Sequence, residues 1–128
     1  MLSGLLVGVL VAAFVFELIN GFHDSANAIA TTVYTRALPP RVAILMSAGM
    51  NFIGALTHEG VALTIAEGLV SITPELYVIL AALVGAIIWD LFTWWKSVPS
   101  SSCHALIGSL IGATIVASGG EQALSWAG

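Results

Sequence analysis

Two polar stretches interrupt an apolar sequence, and each offers a different chemistry. Asn20-Gly21-Phe22-His23-Asp24-Ser25-Ala26-Asn27-Ala28, running on to Ile29-Ala30-Thr31-Thr32, supplies carboxylate and amide oxygens. Pro99-Ser100-Ser101-Ser102-Cys103-His104-Ala105 supplies a run of hydroxyls and an imidazole. Polar side chains within bilayer-length apolar segments are costly and are usually kept for function. The first set suits a cation and the second an oxyanion.

The serine run reads as a helix start. Unpaired backbone N–H groups and the positive end of the helix dipole stabilise an oxyanion there without a basic side chain. Ser100, Ser101 and Ser102 add hydroxyl donors, Pro99 restricts the chain before them, and His104 can donate to the anion or titrate. The competing structural reading is that one serine caps the helix while the others solvate a loop. In the first stretch, Asn20, Asp24, Asn27 and Thr31 fall at helical spacing and share a face. Asp24 and Asn27 offer hard oxygen donors. A backbone broken at Asn20-Gly21 would add carbonyls, which places Asn20 in the same cation site. The alternative is an Asn/Asp pair hydrogen-bonded between helices.

Other polar residues carry less. His58-Glu59 are adjacent and do not share a helix face, so no resident metal site is expected. Glu17 and Asp90 lie near segment ends, where they reach water, although Asp90 has the option of joining a polar interior. Cys103 reads as a packing residue. Ser102 and His104, at i and i+2, point to different helix faces, and no oxyanion-hole motif accompanies them. The chain is therefore not expected to be an enzyme, and no organic cofactor is implied.

These residues need a membrane-embedded helical frame. The 128 residues are 59% hydrophobic and 8% charged, against about 25% charged in soluble domains. Seven acids against three bases give a net charge of −4, and no Lys/Arg cluster exists to hold a phosphate backbone, so nucleic acid is excluded as a partner. The reading is one all-α, multi-pass transmembrane domain over residues 1–128 with short or interrupted helices, its lipid-facing surface in the bilayer. Leu2 to Ile19 is long enough to cross roughly 30 Å of hydrocarbon, and a retained segment is expected rather than a signal peptide. Asn20-Gly21 then breaks the pattern, and His23 to Tyr34 forms a second, short helix. Arg36 to Arg41 is a loop, and Val42 to Leu56 is an apolar stretch short for a span. Thr57 to Thr73, with His58, Glu59 and Glu67, is interfacial. A helix from Glu75 to about Trp94 ends in an aromatic belt of Trp89, Trp94 and Trp95. Ser102 caps a last helix from Cys103 to about Ser118. Gly4/Gly8 and Gly108/Gly112 have the spacing that allows close helix packing. Arg36, Arg41 and Lys96 in the first and third connections put both termini outside. Short segments broken beside polar residues point to a transporter binding site.

Asn20 to Ala28, continuing to Tyr34-Thr35-Arg36, closely resembles the signature of the inorganic phosphate transporter (PiT) family. Trp89-Asp90-Leu91-Phe92-Thr93-Trp94-Trp95, followed by Pro99 to Gly108, resembles its second signature. Order and separation match the N-terminal part of a bacterial-type member, from the first residues to about Ala117. Two departures stand out. Lys96-Ser97-Val98 occupies the place of a glycine before the proline, and Thr57-His58-Glu59 replaces a small, Gly-rich stretch. The resemblance implies symport of inorganic phosphate with a cation, sodium or proton, or of a metal–phosphate complex. It matches Asp24 and Asn27 to cation and substrate positions, Ser101 and Ser102, with Ser100 beside them, to phosphate positions, and His104 to the histidine closing the motif. It also implies two inverted repeats, of which this chain carries one, with the site between them. A second repeat, or a second copy of this chain, is then the expected partner, and the inner (plasma) membrane the expected location. A non-transporting membrane protein derived from the same family is the alternative.

Overall fold

The structure, a computed structural model, describes residues 2–57 and 75–120. His58, Glu59 and Glu67 lie outside the described residues, as does most of the stretch read as interfacial. Within them the fold is helical: α1 (Leu2–Tyr34), α2 (Pro40–Thr57), α3 (Leu76–Trp95) and α4 (Ser102–Ser118). By length and composition, α1 and α3 are long and apolar enough to cross a membrane, while α4 is apolar but shorter.

α1 corrects the sequence reading. It runs unbroken for 33 residues through Asn20-Gly21, so no separate short helix starts at His23 and no backbone carbonyls are freed there. The physical reason is one of magnitude. A glycine inside a helix costs only about 1 kcal/mol, whereas a backbone hydrogen bond opened in an apolar setting costs several.

The helix ends follow local chemistry. Pro40 occupies the first position of α2, where a missing N–H costs nothing, so Arg41 lies in the helix rather than in the loop. α1 and α3 end alike. Arg36 N–H donates to the Val33 carbonyl (3.1 Å) and Ala37 N–H to that of Thr32 (3.1 Å). Ser97 N–H donates to Trp94 (3.0 Å) and Val98 N–H to Thr93 (2.9 Å). These paired bonds form a Schellman motif, which needs a left-handed residue. Arg36 (φ 59°) and Ser97 (φ 54°) provide it, without the glycine that is usual there.

α4 packs most extensively on α3, α3 on α1, and α2 rests on α1. The core lies where α1, α3 and α4 meet: Phe16, Leu83 and Ala86, with Val9, Ala12, Ala13, Ile79 and Leu106 around them. Close approach of α3 and α4 occurs at Gly85, where a Cβ would stand 3.0 Å from Ser109 Oγ. The spaced glycines behave otherwise. A Cβ at Gly4, Gly108 or Gly112 would meet nothing within 4 Å among the described residues. Most large apolar side chains of α2 are exposed, including Leu45, Met50, Phe52 and Leu56.

Candidate functional site

The apolar stripe of α1 places one polar side chain in the interior. Val9, Ala12, Phe16 and Ile19 recur at helical spacing, and the next turn of that stripe carries His23. α3 repeats the pattern. Ala82, Leu83 and Ala86 are followed on the same face by Asp90 and Thr93, both buried. Ser102, the first residue of α4, is buried beside them.

These side chains form a polar cluster at the three-helix junction. His23 Nδ1 lies 3.2 Å from Asp24 Oδ1, and its Nε2 lies 3.4 Å from Thr93 Oγ1. The Thr93 hydroxyl also faces two backbone carbonyls of its own helix, Trp89 at 3.1 Å and Asp90 at 3.0 Å. Asp90 is 0% exposed. Neither of its carboxylate oxygens has a hydrogen-bond partner among the described residues, and neither does the Ser102 hydroxyl. The side chains that bear on Asp90 electrostatically are Ser102, His23 and Asp24.

On the other side of the α4 start lies an open groove of about 550 Å³ lined by Gly85, Trp89, Ser100, Ser101, His104 and Ser109. Ser101 caps α4. Its Oγ accepts from the His104 backbone N–H at 3.4 Å and pairs with His104 Nδ1 at 2.8 Å. The cap is thus one residue earlier than Ser102, because Ser101 is extended (φ −108°, ψ 115°) and Ser102 is already helical. Trp89 Nε1 donates to Ser100 Oγ at 3.1 Å, which fixes the pre-helical turn against α3.

The expected site residues therefore divide. Ser100, Ser101 and His104 share the groove. Ser102 is turned away from it, toward Asp90. Asp24 is half-buried at the edge of the polar cluster. Asn20 is half-buried, while Asn27 and Thr31 are exposed, so the face they share lies beside the inward stripe rather than on it. His23, Asp90 and Thr93 were not singled out from sequence as site residues. The usable signal was their continuation of the apolar stripes of α1 and α3, one residue away from the polar face that drew attention. Chemically, the groove offers hydroxyls, an imidazole and helix-start N–H groups to an anion. The cluster behind it offers two carboxylates and an imidazole to a cation.

Long apolar helices around a buried polar junction fit the class of helical membrane proteins. The sequence pattern of the phosphate transporter family matches residues 20–128, and the chain belongs to that family. A relative from Bacillus subtilis (strain 168), a "probable low-affinity inorganic phosphate transporter", is 53% identical over 87% of this chain and 34% of its own length. A relative of the same name from Streptomyces halstedii is 48% identical over 97% of this chain and 58% of its own. Among solved structures, "the sodium-dependent phosphate transporter" superposes with a TM-score of 0.85 at 29% identity, covering 96% of this chain and 32% of that one. The chain thus spans between about a third and somewhat over half of these relatives.

Proposed function

We propose that the chain is one repeat of an inorganic phosphate:cation symporter of a multi-pass inner-membrane type, working by alternating access against a second repeat or a second copy. Ser100, Ser101 and His104, with the first N–H groups of α4, hold phosphate in the groove. Asp24, with Asn20 and Asn27 along its helix face, stands at the entry of the coupling cation. A phosphate dianion entering beside Asp24 and Asp90 would meet two carboxylates in a medium of low dielectric. A cation bound between them removes that repulsion and makes co-transport obligatory.

The observation that carries this reading is the serine-lined groove at the start of α4 in a chain of the phosphate transporter family. The test is uptake of radiolabelled phosphate into proteoliposomes, with this chain alone and with a second repeat, under imposed sodium and pH gradients. Uptake in either arrangement is expected. Correct insertion without uptake in both arrangements would favour a non-transporting membrane partner.

A further inference from the structure

Trp89 departs from the aromatic belt to which its type and place assign it. Trp94 packs edge-on against Phe22 at 5.6 Å between ring centroids, and the Lys96 ammonium stands 4.3 Å from the Trp95 ring centroid. Trp89 turns toward α4 instead. Gly85, one turn earlier on the same face of α3, lets Ser109 of α4 come close. Gly85, Trp89 and Ser109 line one groove with Ser100, Ser101 and His104. The indole Nε1 reaches Ser100 Oγ at 3.1 Å. The direction of this bond is fixed, because an indole N–H only donates. Ser100 Oγ therefore accepts, and among the described residues it has no other hydrogen-bond partner. Its own hydrogen is left over, in a half-buried residue of the groove wall. Ser101 is different. Its Oγ accepts from the His104 backbone N–H and lies 2.8 Å from His104 Nδ1, so its hydrogen is free only when Nδ1 carries one of its own.

We propose that Trp89 is a positioning residue for phosphate: its indole N–H occupies a lone pair of Ser100 Oγ and so leaves the Ser100 hydrogen to the anion in the groove. This rests on the phosphate reading above and adds to it a residue of α3 that acts through Ser100 rather than on the anion. A serine outside a helix otherwise spends its hydrogen on water or on a nearby carbonyl. With one lone pair held by the indole, the hydroxyl rotor is confined to directions away from Nε1. A hydroxyl that accepts a bond is also the stronger donor. The hydrogen thus meets an arriving oxyanion already oriented, and no reorganisation is needed at that moment. Ser100 precedes α4, and the capping bonds belong to Ser101. The tie to Trp89 is therefore what fixes its side chain to the helical frame.

The test is a double-mutant cycle on phosphate affinity. Proteoliposomes hold this chain with a second repeat, and initial uptake of radiolabelled phosphate gives KM and Vmax. Trp89→Phe keeps an aromatic ring beside Phe92, whose centroid lies 6.1 Å from that of Trp89, and removes the N–H. It is expected to raise KM about fivefold, with Vmax and the unfolding midpoint unchanged. Ser100→Ala removes a donor to a charged ligand and should raise KM about tenfold. The double variant should match Ser100→Ala, because without the hydroxyl the indole has nothing to orient. Losses that multiply to about fiftyfold would mean that the indole touches the anion itself, and would overturn the proposal. So would a wild-type KM in Trp89→Phe, or a loss confined to Vmax and the unfolding midpoint, the signature of a purely structural role. If wild type moves no phosphate, the symporter reading fails. Equilibrium binding of radiolabelled phosphate to the chain in nanodiscs then runs the same cycle on Kd, and absence of binding there overturns this proposal as well.

Discussion

Ser101 has two roles that a pair of substitutions separates. Its Oγ caps α4 and also lines the groove. Ser101→Ala removes both and should cost about 1 kcal/mol of stability. Ser101→Asp keeps a capping oxygen and places a negative charge where phosphate would sit. We expect Ser101→Asp to unfold within about 0.5 kcal/mol of wild type while its phosphate uptake falls at least tenfold. Chemical denaturation in detergent and initial uptake rates read the two effects. Asp90 and His23 respond as a unit. Asp90→Leu or His23→Leu alone leaves the other polar side chain buried with one polar neighbour fewer, at a cost of about 1–3 kcal/mol, whereas the double variant replaces two polar groups by apolar packing and should recover most of it. A double-mutant cycle on the same unfolding assay checks this, and additive losses would show that the two do not interact. The sequence identified the two polar stretches but not their division. Residue type identified Asp24 and the serines. Which hydroxyl turned inward depended on the phase of α4 against α3, and a one-residue shift of the cap moved Ser102 from groove to core.

At the scale of elements, the helix-capping chemistry was only partly legible. The spacing predicted α3 within a residue, because its apolar run is bounded by Glu75 and the Lys96 turn. α1 was misread because Asn20-Gly21 has the composition of a break, while the cost of breaking is set by the surroundings. The Schellman ends at Arg36 and Ser97 gave no signal, since their left-handed residues are not glycines. Ser97 in that conformation stores about 1 kcal/mol relative to glycine. Ser97→Gly should therefore stabilise the protein by about 1 kcal/mol, read as a higher unfolding midpoint with uptake kept. Gly85 predicts the opposite. A Cβ there already crowds Ser109, so Gly85→Val should force α3 and α4 apart at about 1–3 kcal/mol. Gly4→Ala, with nothing within 4 Å, should be neutral or slightly stabilising. Thermal denaturation of the two variants side by side decides whether the contact at Gly85 holds the helix pair together.

The whole molecule has an apolar exterior and a polar junction, and this was the most legible level. A chain with 8% charged residues folds as helices with their apolar sides outward, because each helix satisfies its own backbone. The serine groove is open on one side, as suits half of a site. One consequence follows from the unbroken α1. Thirty-three helical residues measure about 50 Å, well beyond a hydrocarbon layer of about 30 Å. Even a steep lean, up to about 40°, leaves part of the rod projecting. His23 stands roughly 30 Å along it, so lipid thickness fixes how deep that imidazole lies and how far it is from water. Acyl-chain length thereby becomes a control on turnover. Uptake measured across bilayers from 14- to 22-carbon phosphatidylcholines should pass through a maximum, as the rod leans less with each added carbon pair and carries the polar junction from one aqueous boundary toward the midplane.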